Sequence, residues 1–417
     1  MRLPKYSLYK DSGVAWLGKV PQHWEILSLK RIATLKSGES ITAQNIEEEG
    51  AYPVYGGNGL RGFTTSFTHD GRFALIGRQG ALCGNVNYSS GKFWASEHAV
   101  VATPIRVVST TWLGELLRAM NLNQYSVSAA QPGLSVEIIS NLGVPYPPID
   151  EQFTIATFLD REVGKIDTLI SEQEKLLTLL AEKRRATISH AVTRGLNTSA
   201  QMKDTGVAWL GEVPAHWETL ATKRLFRLVA EPAPDDNDEE LLSIYTDIGV
   251  RPRKSLEERG NKATTTDGYW IVRKGDIIVN KLLAWMGAIG LSNYDGVTSP
   301  AYDILRQTKS LNPQYYDYLF RCGVMFTEFR RHSRGIMDMR LRLYFEDFGQ
   351  IYVPFPSEEE QTEIVRFLQS ETAKLDALSA HAEGAIGLLK ERRGALIAAA
   401  VTGKIDVRNA VPEELAA

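Results

Sequence analysis

The feature that most constrains this chain is a frame written twice. Asp11 to Glu25 reads DSGVAWLGKVPQHWE and Asp204 to Glu218 reads DTGVAWLGEVPAHWE, identical at twelve of fifteen positions and offset by 193. The echo continues from Lys30-Arg31 to Lys223-Arg224. A second landmark, P-x-P-x-x-x-E-Q, starts at Pro145 and again at Pro354, offset by 209. Here Gln152 matches Gln361, Asp167 matches Asp376, Arg184 matches Arg393 and Val192-Thr193 matches Val401-Thr402. Two landmarks repeated in one order mark a duplicated structural unit. Between them the two halves lose their resemblance. Trp24 to Gln152 is 128 positions and Trp217 to Gln361 is 144, so the second insert is 16 residues longer. Part of that excess is expected in the acidic, Pro-containing stretch Glu231 to Glu240, which reads as an exposed loop. A constant frame around two unlike inserts is the layout of a scaffold that presents two specificities.

Each copy of the second landmark opens a long helix-forming tract. Glu151 to about Val192 is rich in Leu, Ile, Glu, Lys, Arg and Ala, without Pro and with one Gly. Ile155, Leu159, Ile166, Leu169, Leu176 and Leu180 recur at helical steps and predict one apolar stripe. Glu360 to about Val401 repeats the plan with Ile364, Leu368, Leu375, Leu378, Leu389 and Ile397; Gly384, Gly387 and Gly394 are expected to weaken it. Acidic residues at the start and Lys183-Arg184-Arg185 towards the end suit the helix dipole. An unbroken helix of about 40 residues is roughly 60 Å long. A long apolar stripe must be covered, and the obvious partner is its own copy, packed antiparallel. The inserts read as mixed α and β: short apolar runs broken by Gly and Asn from Tyr52 to Tyr88 and from Trp270 to Leu291, then helices at Trp112 to Leu122 and Tyr315 to Phe329.

Composition excludes several classes. The 417 residues exceed one ordinary core, and 43% hydrophobic with 23% charged residues is normal for a globular chain. No run of ~18 apolar residues suggests a bilayer span, and Met1 to Lys10 lacks the apolar region of a secretory leader. Two cysteines, Cys83 and Cys322, argue against a disulfide framework and fit a reducing cytoplasm. A net charge of −3 does not announce nucleic-acid binding, but a local basic face suffices. No P-loop, [DE]-x-K nuclease triplet, G-x-S-x-G or H-E-x-x-H is present. His23 and His216, in the repeated P-x-H-W, read as packing residues. Asn312-Pro313-Gln314-Tyr315 departs from the N-P-P-Y box of adenine methyltransferases at its third position. Asn-Pro opening a helix is the simpler reading. Gly56-Gly57-Asn58-Gly59 reads as a turn with positive φ.

The repeated W-L-G-x-V-P-x-H-W, the repeated P-x-P-x-x-x-E-Q before a long helix, and the unlike inserts together resemble the specificity subunit of type I restriction–modification systems. YPVYGGNGLRG, IGRQGALCGNVNY and GIMDMRLRLYFEDFGQIYVPFP also look like segments of that family's target recognition domains. The resemblance covers nearly the whole chain. It implies an α+β fold: two mixed α/β target recognition domains joined by two long antiparallel helices with internal pseudo-two-fold symmetry. The expected division is a first recognition domain over 1–150, a first spacer helix over 151–195, a second recognition domain over 196–356, and a second spacer helix with its tail over 357–417. The implied function is recognition of a bipartite, asymmetric sequence in double-stranded DNA, without catalysis. Two modification subunits and restriction/translocase subunits are the implied partners, with S-adenosylmethionine, ATP and Mg held by them and none by this chain. The competing readings are a structural coiled-coil adaptor without DNA readout and a stand-alone methyltransferase.

Bases are read mostly by Arg, Lys, Asn, Gln and Ser/Thr, and phosphates by Lys and Arg. In the first insert the polar groups on or beside Gly-rich turns are the candidates: Lys36, Ser37, Tyr55, Asn58, Arg61, Arg78, Gln79 and Lys92. In the second, the stretch from Arg321 to Arg342 is the densest positive charge in the chain, and Arg330, Arg331, Arg334, Arg340 and Arg342 are the candidates. Lys254, Lys262, Thr265 and Lys281 complete the set. No metal ligand and no catalytic residue is expected.

Overall fold

The computed structural model describes residues 3–80, 82–126, 133–255, 266–337 and 340–410. Both long tracts are helices, Ile149–Arg194 of 46 residues and Glu358–Val401 of 44. Acidic residues fill both first turns, Asp150-Glu151 and Glu358 to Glu360, where the helix dipole favours them. Gly384, Gly387 and Gly394 do not interrupt the second helix. A Cβ at any of them would meet nothing within 4 Å, so they lie on open faces and cost only helix propensity.

The chain divides into two compact units, one formed by Met1–Glu174 with Glu383–Ala417, the other by Lys175–Ala382. Each contains one insert and one half of each long helix. In the first unit Ile155, Phe158 and Leu159 share a core with Ile397, Ala400 and Val401, and Arg393 Nε donates to Asp167 Oδ1 at 2.8 Å. Numbers rise along one helix as they fall along the other, so the halves pack antiparallel. In the second unit Ala191 and Val192 meet Ile364, Val365 and Leu368, and Arg184 pairs with Asp376. The two ion pairs join matched positions of the repeat, each with one member from either copy.

The expected stripe is only partly covered. Ile155, Leu159, Ile166 and Leu180 are buried, but Leu169, Leu176 and Leu378 are 46%, 40% and 52% exposed. At about 100° per residue, Leu169 and Leu176 lie roughly 60–80° round the helix from Ile166. A single partner helix covers a narrower arc than a globular core would.

The two repeated landmarks are the two halves of one joint. In the first unit Glu151 accepts from Trp24 Nε1 at 3.1 Å and lies 2.9 Å from His23 Nε2. In the second Glu360 accepts from Trp217 Nε1 at 2.8 Å and lies 2.9 Å from His216 Nε2. The neighbouring glutamines are fully buried. Gln152 accepts from Ser109 N at 3.2 Å and donates to Pro147 O at 2.9 Å. Gln361 accepts from Asn312 N at 2.8 Å and donates to Pro356 O at 2.9 Å. Tryptophans of the repeated W-L-G complete the joint, Trp16 Nε1 donating to Gly143 O and Trp209 Nε1 to Tyr352 O. In the first unit the tail closes back on the start: Asp406 N donates to Pro4 O, and Tyr9 Oη to Gly403 O. Tyr6 Oη also donates to Glu151.

The inserts, unlike in sequence, share an architecture. The first has an antiparallel four-stranded sheet in the order Ala33–Ser37, Ala99–Pro104, Phe73–Gly77, Val86–Ser89. The second repeats it as Phe226–Val229, Tyr302–Gln307, Ile277–Asn280, Ile289–Leu291. A smaller mixed sheet, Gly59–Thr64, Tyr52–Gly56, Lys92–Ala95 and His69–Asp70, has no counterpart among the described residues of the second unit. The helix expected near Trp112 is Thr110–Ala119, capped by Ser109 Oγ. The helix expected over Tyr315 to Phe329 is two, Pro313–Phe320 and Gly323–His332. It breaks at Arg321, whose guanidinium turns away to the Ile289, Thr246 and Asp247 carbonyls. Asn312 caps the first of them through its Oδ1, accepting from Gln314 N, so the Asn-Pro pair is a helix opener. From Ala33 to Phe73 is 40 residues and from Phe226 to Ile277 is 51, so most of the extra length precedes the third sheet strand.

Cys83 and Cys322 are buried free thiols. Among the described residues no helix is long and apolar enough to cross a membrane, and no His/Cys/Asp/Glu group is placed to hold a metal.

Candidate nucleic-acid interface

In the first unit the site forms where the sheet strand Phe73–Gly77 ends. A Cβ on Gly77 would lie 2.1 Å from Gly57 O, so only glycine lets the 56–59 turn pack backbone to backbone on that end. Gly59 at φ +96° and Gly80 at φ +89° turn the two loops in the left-handed region. Asn58, Arg61 and Gln79 thereby share an open groove of about 480 Å³ with Gly57, Gly80, Leu82 and His98. Asn58 Oδ1 accepts from Asn85 Nδ2 at 3.0 Å, which fixes its orientation. Beside the groove, Arg78 Nη1 donates to Ser37 Oγ at 3.2 Å and Arg78 N to His98 O at 2.9 Å. Lys36 is exposed on the flanking strand.

Two candidates fall elsewhere. Tyr55 is half-buried edge-on against Phe93, with centroids 5.7 Å apart. Lys92 Nζ lies 4.7 Å from the centre of the exposed Phe67 ring, on the smaller sheet. His98 was missed by the residue-type reading. Its one sequence signal is its place just before the apolar strand run Ala99 to Ala102, where side chains are carried to a sheet end.

In the second unit the same architecture carries other side chains. Leu134 N donates to Arg78 O at 2.9 Å, and Leu343 N donates to Lys281 O at 2.9 Å. Arg78 and Lys281 therefore occupy equivalent positions, one residue past the equivalent sheet strand. Each is overlain by a bridge, Ser126 with Leu134 in the first unit and Arg334 with Arg342 in the second. Lys281 is tied to Asp303 at 3.2 Å. Burial raises the Asp303 carboxyl above its ordinary range, and Lys281 partly offsets that.

Much of the basic tract is engaged. Arg334 Nε binds Asp347 at 2.6 Å, which pushes the guanidinium pKa up. Arg331 lies 3.4 Å from Glu328, and Arg330 stacks over Trp285 at 5.4 Å. Arg340 and Arg342 are exposed with no carboxylate partner among the described residues. Lys254 is exposed with Glu240 at 3.4 Å, remote in sequence from the bridge. Lys262 and Thr265 lie outside the described residues.

Similarity to known proteins is strongest in the first half of the chain. The family model of the type I restriction modification DNA specificity domain matches residues 21–178. The type I restriction enzyme EcoprrI specificity subunit of Escherichia coli is 42% identical over 173 residues, 40% of this chain and 42% of that one. Residues 21–178 thus carry a type I restriction modification DNA specificity domain. Its other relatives include the EcoBI specificity subunit of E. coli, 25% identical over 69% of this chain and 63% of that one. The EcoDI specificity subunit, also of E. coli, is 21% identical over 93% and 90%. The chain thus spans 42% and 63% of the first two relatives and nearly all of the third. A solved structure described as underlying complex assembly and conformational transition of the type I R-M system superposes with TM-score 0.60 at 15% identity, over 92% of this chain and 98% of that one. The HsdS subunit of Thermoanaerobacter tengcongensis gives 0.52 at 14%, over 93% and 98%. At these identities the two structures establish the specificity-subunit fold alone.

Proposed function

We propose that this chain is the DNA-specificity subunit of a type I restriction–modification complex and does no chemistry itself. The observation that carries the reading is the equivalence of Arg78 and Lys281. One scaffold, held by one backbone hydrogen bond, presents unlike polar side chains in its two copies. A shared scaffold that carries different polar side chains at matched positions suits reading two different half-sites, because base edges differ in donor and acceptor pattern. In the first head Asn58, Arg61, Gln79 and His98 face the bases, with Lys36 and Arg78 beside them. In the second, Arg340 and Arg342, without a carboxylate partner among the described residues, supply positive charge, and Lys281 is the counterpart of Arg78. The long helices set the separation of the half-sites and receive two modification subunits. Those partners carry S-adenosylmethionine; restriction/translocase subunits carry ATP and Mg, all in the cytoplasm. An adaptor without readout has no use for a groove lined by oriented Asn, Gln and Arg side chains.

The test is methylome sequencing of a host carrying the chain with its modification subunit. A split, asymmetric, adenine-methylated sequence is expected. Exchanging residues 26–144 for those of another family member should change one half of it only. A change in both halves, or in neither, defeats the two-reader reading.

A further inference from the structure

We infer that the Arg334–Arg342 stem of the second head enters a DNA groove and lays Ile336 and Met337 against the bases. The inference rests on the proposed function. Ile336 is 99% exposed and Met337, beside it, 57%. Single exposed apolar residues are ordinary on protein surfaces, but a consecutive pair on a braced support in a basic setting is not.

The support is braced on every side. Arg334 and Arg342 exchange two backbone hydrogen bonds of 2.9 Å. Leu341 and Leu343 are buried beneath, and Leu343 N is held by Lys281 O. The Arg334 guanidinium grips Asp347. Gly335 sits at φ +150°, and a Cβ there would come within 2.6 Å of Arg340 O, so the chain leaves the stem in a direction only glycine permits. The turn after Lys281 adds Leu282 and Leu283, 37% and 40% exposed, next to the stem.

The occupant follows from charge. Arg340 and Arg342 flank the apolar pair without a carboxylate partner among the described residues, which suits a polyanion. Phosphates offer nothing to Ile or Met. Within a duplex the apolar surfaces are thymine methyl groups and the faces of opened base steps, both reached through a groove. The arginines therefore hold the backbone while Ile336 and Met337 touch bases. Apolar contact then contributes to sequence choice, a role invisible to a search for hydrogen-bonding side chains.

The experiment compares the assembled complex carrying the wild-type chain, Ile336→Ala with Met337→Ala, and Arg340→Ala with Arg342→Ala. Each is measured for binding to a duplex bearing the methylated sequence and to an unrelated duplex, across a salt series, and for its methylome. The apolar double variant should weaken target binding by about tenfold, spare the unrelated duplex, keep the salt slope and blur one or two positions of one half-site. The arginine double variant should weaken both duplexes and lower the salt slope by about two. Ile336→Leu should restore target binding. Unchanged target affinity and methylome in the apolar double variant overturn the inference, as does equal weakening on both duplexes. Loss of complex assembly with no loss of preference among complexes that form would assign the pair to a protein partner and overturn it too. A wild-type complex without preference for its own methylated sequence would instead overturn the function reading, and the inference with it.

Discussion

Replacing Gln361 by Met isolates the energy of the joint in the second unit. The side chain is fully buried, accepting from Asn312 N at 2.8 Å and donating to Pro356 O at 2.9 Å. Methionine keeps most of the volume, so the packing loss is small. It removes both hydrogen bonds and leaves a backbone N–H and C=O without partners. Each orphaned group costs about 1–3 kcal/mol, and the pair about 2–4 kcal/mol after partial relaxation. Because the units are separate compact bodies, one global melting curve could blend two transitions. Peptide-resolved hydrogen exchange reads them apart. Protection in Pro313–Phe320 should fall by roughly 30- to 1,000-fold, while Thr110–Ala119 of the first unit is unchanged. Gln361→Glu sharpens the test. Its carboxylate can still accept from Asn312 N but opposes the Pro356 carbonyl, whereas the protonated acid restores a donor. That variant should therefore gain protection as pH falls from 7 to 5. A loss below about 0.5 kcal/mol for Gln361→Met, or equal loss in both units, refutes the joint as described.

Three further outcomes are expected. The Asp167–Arg393 pair is partly solvent-exposed, Asp167 by half, so Asp167→Asn should shift the stability of the first unit by no more than about 1 kcal/mol, read by the same exchange experiment; a loss above 2 kcal/mol would mean a buried coupling. Gly403, at φ +71° with a Cβ position 2.4 Å from Pro21 Cδ, should not tolerate Ala, whose cost of about 1–3 kcal/mol would appear as faster exchange in the tail and in Lys19–Pro21. Burial pushes the Cys322 thiol up to about 11. A folded-state pKa above the unfolded one gives stability that is complete at low pH and declines from about pH 9 upward, so wild type should lose its advantage over Cys322→Ala between about pH 9 and 11; parallel pH profiles in thermal unfolding would contradict this.

The residues of the joint were legible as the part of the chain that is written twice, although their contact with one another was not. Its members are a Trp, a His, a Glu and a Gln whose neighbours are fixed by backbone geometry, so both copies keep the same letters. The long helices were legible from composition, although periodicity did not separate buried Ile166 from exposed Leu169. That distinction depends on the width of the covering partner, which the spacing within one helix does not carry. The strands of the two heads were legible as short apolar runs but their common order was not, since buried strands such as Phe73–Gly77 and Ile277–Asn280 need only apolar side chains and can be filled in many ways. Nor could residue type tell engaged from free cations. Lys281 meets Asp303 and Arg334 meets Asp347 across distances in sequence that no local pattern spans. His98 escaped for the same reason, since the pairing of Ala99 with Gly77 brings it beside Gln79.

The buried glutamines have a consequence for how such chains change. Gln152 and Gln361 bind the head through main-chain atoms only, Ser109 N and Asn312 N. The fastening is thus indifferent to the side chains it fastens. At this bond a head can accumulate substitutions without a compensating change in the frame, provided its helix begins at the same point in space and keeps an apolar face to pack on the long helix. Novelty in one part of the molecule and constancy in the other are then less in competition, because this fastening reads geometry and asks of the head only that it stay apolar where the two meet.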